Sequence, residues 1–267
     1  LDAEYVDYRF CEDFGDGIEG ACSPGLDQAV VFKEVYTPYG APSEPWGISV
    51  RRSDYGLPEE VFVFCSFNND YKIEPEVFAA WLAVLKAVPD SVLWLRASEN
   101  RLWEHCCTMA KEAGLCDSRL IRAVDEANDR HLARLRLADL MLDTFVCNAH
   151  TTALDALWMG LPVITCRGFT PASSLCSVFL RQLGLETLIH RTTGAYITEA
   201  IRLACDRAYY RTIRRKLMQA RTTTQVFNMA HKVRLYEVAY ERMWEKYCNG
   251  LVPSAFEVQA LSMDRRL

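Results

Sequence analysis

The residues best suited to chemistry lie in three short stretches, each just past an apolar run. The first is "CNAHTTALD" (147–155), which follows "LMLDTF" (140–145) and carries His150, Thr151, Thr152 and Asp155. A helix starting near Thr151 presents N–H groups and a partial positive charge to an anion, and the two Thr add hydroxyl donors. Asp155, one turn further on, shares a face with both Thr and can accept hydrogen bonds from ribose hydroxyls. A plainer reading of the same residues is a Thr-capped helix with an acid in its first turn. The second stretch, "FNNDYKIEP" (67–75), follows the apolar "VFVFCSF" (61–67) and holds Asn69 and Lys72. Lys supplies a point charge for a diphosphate, and Asn supplies amide donors. The third, "NDRHLARLRLADLMLDT" (128–144), places His131 near a helix start, with Arg134 one turn along the same face. An imidazole there can stack on a flat base and hydrogen-bond it. Together the three stretches offer a base platform, a ribose acceptor and a diphosphate clamp.

The elements that must position these residues follow from periodicity. Strands are expected at 61–67, 91–97, 118–124, 140–145 and 161–165. Helices are expected at 74–89, 101–115, 129–138 and 151–160, then at about 172–184, 195–205, 207–220 and 225–248. Pro75 suits a first helical turn, and Gly114 a helix end. Short apolar strands alternating with helices imply a parallel sheet covered on both faces, an α/β fold of the Rossmann-like kind. In such sheets ligands bind past the carboxyl ends of the strands, where all three stretches fall. Residues 1–54, rich in Gly, Pro and acidic residues, read as an irregular arm or linker with at most one short strand in 29–36. Residues 55–248 read as the lobe, and 249–267 as a tail. Phe67, Trp81, Trp94, Leu142, Leu157 and Trp158 read as core.

Composition narrows the function class. Among 267 residues, 50% are hydrophobic, enough for a sizeable core, and the net charge of −5 argues against a nucleic-acid binder. The eleven Cys form no CxxC pair, so free thiols in a reducing compartment are expected rather than a disulfide framework or a zinc site. His105-Cys106-Cys107 looks metal-like, but adjacent helical residues splay to different faces. No apolar run is long enough to span a bilayer. No Walker or DxD motif stands out, so no cofactor and no metal are expected, with the diphosphate charge met by Lys and a helix terminus.

"VFCSFNNDYKIEPEVFAAWLAVLKAVPDSVLWL", "RHLARLRLADLMLDT", "CNAHTTALDALWMGLPVIT" and "VFNMAHKVRLYEVAYERMW" resemble, in order and nearly without gaps, the C-terminal catalytic lobe of the O-GlcNAc transferase and SPINDLY-like glycosyltransferase family. The resemblance covers about residues 55–246. It implies a GT-B architecture and inverting, metal-independent transfer of N-acetylglucosamine from UDP-GlcNAc (or fucose from GDP-fucose in the SPINDLY branch) to Ser or Thr of a protein acceptor. By the family pattern Lys72 neutralises the diphosphate and aids the leaving group, Asn69 contacts the nucleotide, and His131 stacks near the uracil with Arg134 beside it. His150, Thr151 and Thr152 form the phosphate-binding helix start, and Asp155 binds the ribose. Two departures stand out: Asn128 replaces a Lys three residues before His131, and Ser174 replaces an Arg. The family's acceptor-side lobe, with its catalytic His, and its tetratricopeptide repeats precede this region, so a missing N-terminal lobe or a partner chain is expected. The alternative is a catalytically inactive lobe serving as a structural or accessory subunit of a larger complex. The family and the free Cys imply cytoplasm or nucleus, and an incomplete N-terminus leaves an organelle possible.

Overall fold

The computed structural model describes residues 6–14, 28–42 and 47–259. Strands β1 (Arg9–Glu12) and β2 (Ala29–Phe32) precede an alternating run of strands and helices. That run comprises β3 (Phe62–Ser66), α1 (Pro75–Ala87), β4 (Ser91–Arg96), α2 (Asn100–Glu112), β5 (Leu120–Ala123), α3 (Asn128–Leu135), β6 (Leu140–Leu142), α4 (Thr151–Trp158), β7 (Val163–Cys166), α5 (Leu175–Gln182) and β8 (Ile189–His190). Three helices follow, α6 (Thr193–Cys205), α7 (Arg207–Thr223) and α8 (Met229–Cys248), and then β9 (Phe256–Val258).

The main sheet has six parallel strands in the order β5-β4-β3-β6-β7-β8. Renumbered from its first strand this is the doubly wound order 3-2-1-4-5-6, in which the strand order reverses between β3 and β6. Helices cover both faces, which is why β3, β4, β6 and β7 are almost continuously apolar instead of alternating. Trp81, Trp94, Leu142 and Leu157 are fully buried, Phe67 nearly so, and Trp158 is half-buried. The polar atoms of the core are paired where the fold allows it: the Trp81 Nε1–H donates to the Tyr196 hydroxyl at 3.1 Å, which donates to the Asp143 carbonyl at 3.2 Å. Pro75 occupies the first turn of α1, and Gly114 takes a positive φ of 80° just past α2. Expected helices and strands are all found, with ends displaced by a few residues.

A second, smaller parallel sheet joins β1, β2 and β9 in that order. Its core is separate: Val30, Phe32 and Val258 pack on Leu235, Val238 and Ala239 of α8. The segments read as arm and tail thus contribute strands. Of these, β2 falls within the short strand expected in 29–36, whereas β1 and β9, four and three residues long, pair only with partners remote in sequence, so no local alternation marks them. No helix among the described residues is long and apolar enough to cross a membrane.

Candidate functional site

The crevice between β3 and β6 is where an open sheet of this order binds ligands; β3 ends there in Ser66, and Asp143 follows the last residue of β6. After β3 the chain forms a 3-10 turn, Asp70–Lys72, closed by Lys72 N–H donating to the Asn69 carbonyl at 3.0 Å. Asp70 ties this turn to the end of β4 by accepting from the Ser98 and Glu99 N–H groups at 3.2 and 2.9 Å. Arg96, the last residue of β4, donates to Asn69 Oδ1 at 3.1 Å and pairs with Asp125 at 2.9 Å. Asn69 is exposed and Lys72 half-buried. The turn aims Lys72 across the crevice, where its ammonium donates to the Asn148 carbonyl at 2.7 Å.

Past β6 a buried polar knot shapes the loop that leads into α4. Asp143 is fully buried and accepts from the Ala149 N–H at 2.6 Å, the Thr144 N–H at 2.8 Å and the Thr165 hydroxyl at 2.7 Å. Burial pushes its carboxyl up to about 6, although each of those donors pulls it down. Thr144 Oγ1 donates to the Cys147 carbonyl at 2.6 Å and accepts from Asn68 at 3.2 Å. Asn148 closes the knot by donating to the Thr144 carbonyl at 2.6 Å. These contacts bring Asn148 O to Lys72 and set the approach to α4.

His150, not a Thr, occupies the N-cap of α4, and no side chain caps that first turn. Thr151 is exposed and Thr152 half-buried. The His150 ring lies half-buried, hydrogen-bonded to the Ala172 backbone, and its Nε2 is buried without a partner. Burial, and then the charge of Lys72, holds its pKa below the usual imidazole value. Lys72 and the first turn of α4 therefore converge as an ammonium and uncapped helix N–H groups, donors suited to phosphate oxygens, and the unsatisfied ring nitrogen of His150 beside them joins that set once it is protonated.

A concavity of about 320 Å³ adjoins this point, lined by Asn69, Arg96, Asn128, His131, Arg134 and Thr152 among others. His131 sits edge-on to Phe67, at 5.4 Å between ring centres and 87° between planes. Its Nδ1 accepts from Arg134 Nε at 3.2 Å, which leaves Nε2 as the N–H donor of the neutral ring. Burial and the positive charge of Arg134 lower its pKa to about 4, so it is neutral at pH 7. Arg134 is only 1% exposed, donates to the Val124 carbonyl, and lies 4.8 Å over Phe67 and 5.5 Å over Trp94. It acts mainly on His131, fixing its tautomer and angle. Asp155, half-buried further along α4, accepts from the Tyr39 hydroxyl, and burial raises its pKa.

The structure thus gathers Asn69, Lys72, His131, Arg134, His150, Thr151 and Thr152 around one crevice, with Asp155 a turn away on α4. Sequence reasoning missed Asn68, Arg96, Asp143, Thr144, Asn148 and Thr165, which position the others. The available signal was polarity at the carboxyl ends of otherwise apolar strands. Ser174, the departure near α5, is buried at the N-cap of that helix and donates to the Gly168 carbonyl at 3.0 Å. Among the described residues no group of three or more His, Cys, Asp or Glu could hold a metal ion.

The model of glycosyl transferase family 41 matches residues 37–235. A UDP-N-acetylglucosamine–peptide N-acetylglucosaminyltransferase of Caenorhabditis elegans is 34% identical over 85% of this chain and 20% of its own length. A probable enzyme of the same name, SEC, from Arabidopsis thaliana is 35% identical over 96% of this chain and 27% of its own length. The chain therefore spans about a quarter of the curated relatives it matches. Among solved structures, a Thermobaculum terrenum O-GlcNAc transferase mutant superposes with a TM-score of 0.74 at 27% identity, over 90% of this chain and 46% of that one. The lipopolysaccharide glycosyltransferase WaaG shares the fold at a TM-score of 0.56. The fold is the Rossmann-like one of a GT-B glycosyltransferase lobe, and the chain belongs to glycosyl transferase family 41.

Proposed function

We propose that this chain is the nucleotide-sugar-binding lobe of a protein O-linked N-acetylglucosaminyltransferase that uses UDP-GlcNAc as donor and a protein Ser or Thr as acceptor. The observation that carries it is the convergence of the Lys72 ammonium, 2.7 Å from the Asn148 carbonyl, with the uncapped start of α4 and the orphaned Nε2 of His150. In inverting transfer the acceptor oxygen bonds to the anomeric carbon as that carbon's bond to the distal phosphate oxygen breaks. The electron pair stays on the departing phosphate. Lys72 and the helix terminus meet that growing negative charge, so they stabilise the transition state more than the ground state. His131, held neutral by burial and by Arg134, offers its Nε2–H and ring to the base, Asn69 an amide to the nucleotide, Thr151 and Thr152 hydroxyls to the phosphates, and Asp155 a carboxylate to the ribose. The base that takes the acceptor's proton belongs to the acceptor side of the cleft.

Calorimetric titration of UDP, with GDP beside it, into the purified chain tests this reading. Saturable UDP binding is expected, weakened about tenfold or more in Lys72→Met because a charged donor to phosphate is lost. Undisturbed binding in Lys72→Met would remove Lys72 from the site. No binding of either nucleotide by folded chain would favour the accessory-subunit reading, in which the motifs survive as scaffold.

A further inference from the structure

Asp155 does not stand alone on α4. The hydroxyl of Tyr39 donates to its Oδ1, and no described residue donates to its Oδ2. Tyr39 belongs to the segment 37–42, remote in sequence from every candidate stretch, and that segment is fastened on several sides. The Tyr39 ring packs edge-on against Phe227 at 6.1 Å, the Ala41 N–H donates to the Phe227 carbonyl at 3.2 Å, and the Trp158 indole N–H donates to the Pro42 carbonyl at 3.1 Å. Two buried side chains, Lys232 and Glu12, grip the backbone around it. Lys232, fully buried on α8, donates to the Thr37 and Tyr39 carbonyls at 2.8 and 2.7 Å. Glu12, at the end of β1, accepts from the Thr37 hydroxyl at 2.8 Å and the Thr37 N–H at 3.2 Å. The ammonium holds carbonyls and the carboxyl group holds N–H and hydroxyl groups, so Tyr39 has little freedom to turn.

We propose that Tyr39 is a positioning residue for nucleotide-sugar binding: it fixes the Asp155 carboxylate by one oxygen, so that the other is presented to a ribose diol. This rests on the donor-site reading above. A carboxylate on a free rotor pays conformational entropy when it binds a diol, whereas one already anchored through Oδ1 does not. The Glu12–Lys232 clamp sets the anchor and so ties the small sheet and α8 to the ribose end of the site.

The test is calorimetric titration of UDP, and of a UDP analogue lacking both ribose hydroxyls, into the full chain and its Tyr39→Phe variant. The expected result is a roughly tenfold loss of UDP affinity in Tyr39→Phe, with affinity for the dehydroxylated analogue unchanged. In an Asp155→Asn background, Tyr39→Phe should have no further effect, and Lys232→Met should repeat the Tyr39→Phe pattern more weakly. Equal losses for both ligands would show that Tyr39 only shapes the loop, and unchanged or tightened UDP binding would show that it positions nothing; either overturns the proposal while the donor site stands. Absence of UDP binding in the unmutated chain would instead overturn the donor-site reading, and this inference with it.

Discussion

Two buried groups at the crevice, His150 and Asp143, turn their surroundings into measurable pH dependence. His150 is kept neutral in the free protein by burial and by Lys72, and one ring nitrogen is occupied by the Ala172 backbone. Its Nε2 can bond a phosphate oxygen only as a donor, so it must gain a proton, and a diphosphate supplies the negative charge that favours one. UDP binding should therefore take up a proton and tighten as pH falls from 8 toward 6. Titrations in buffers of different ionisation heat measure that uptake, and subtraction of the His150→Gln variant removes protons taken by UDP itself; equal uptake in the two proteins would exclude His150 from the phosphate site. Asp143 has the opposite design, a carboxylate raised from 3.8 to about 6 by burial while three donors hold it. Its folded form binds a proton that the unfolded chain has lost between those values, so its contribution to stability falls as pH rises from about 4 to about 6. The shift of roughly two units corresponds to about 3 kcal/mol at most. Asp143→Asn should be destabilised by about 2–3 kcal/mol, because an amide cannot accept from all three donors. The stability gap between native chain and variant should narrow between pH 4 and 7. His131, lowered from 6.5 to about 4, changes stability in the other direction, so only the difference between the two proteins isolates Asp143.

At the scale of elements, the site depends on where helices start and stop. Just past the end of α4, Gly160 adopts a φ of 79°, and a Cβ there would lie 2.5 Å from Met218 Sδ on α7. Met218 can swing aside, but the left-handed backbone cannot accept a side chain without strain. Gly160→Ala should cost about 1–2 kcal/mol in urea denaturation; a neutral result would mean the turn relaxes freely. Most of this level was legible beforehand. Val77, Phe78, Trp81, Leu82 and Leu85 are apolar at helical spacing, and all are buried in α1. The strand "VFVFCSF" carries enough consecutive apolar residues to declare a doubly covered strand, and β3 lies within it. The α4 N-cap was less legible, because Thr151 and Thr152 are common caps whereas the residue found there is His150, with a backbone of φ −105° and ψ −97°. The positioning shell was not legible at all. Asn68 and Asp143 lie just past β3 and β6, Thr165 lies in β7, and they matter only through contacts that the sheet order creates. Tyr39 and Asp155, 116 positions apart, show no local pattern that could pair them.

At the scale of the whole molecule, two hydrophobic cores of unequal size share one chain. The main core runs through the six-stranded sheet and helices α1 to α7, whereas Val30, Phe32, Leu235, Val238, Ala239 and Val258 form the buried part of the smaller one. So few buried side chains supply little apolar area against the entropy of ordering β1, β2, β9 and α8. Aromatic packing helps, with Phe32 and Tyr36 stacked at 4.5 Å and Phe10 edge-on to Phe32 at 5.1 Å. Polar ties help too: His231 meets Glu34 at 2.7 Å, and Lys33 meets Asp13 and Glu257 at 3.3 and 2.8 Å. The exposed pairs among these add little in water. The small sheet should therefore open on its own, at lower free energy than the main sheet, as a separate cooperative unit. Hydrogen exchange read by mass spectrometry should show weaker protection in β1, β2 and β9 than in β3, β4 and β6. Lys232→Met should weaken the small sheet further while leaving β3 and β4 unchanged, because the hydrogen bonds of its ammonium go to the Thr37 and Tyr39 carbonyls and not to either strand. Equal protection of both sheets would mean that the clamp joins them into one folding unit.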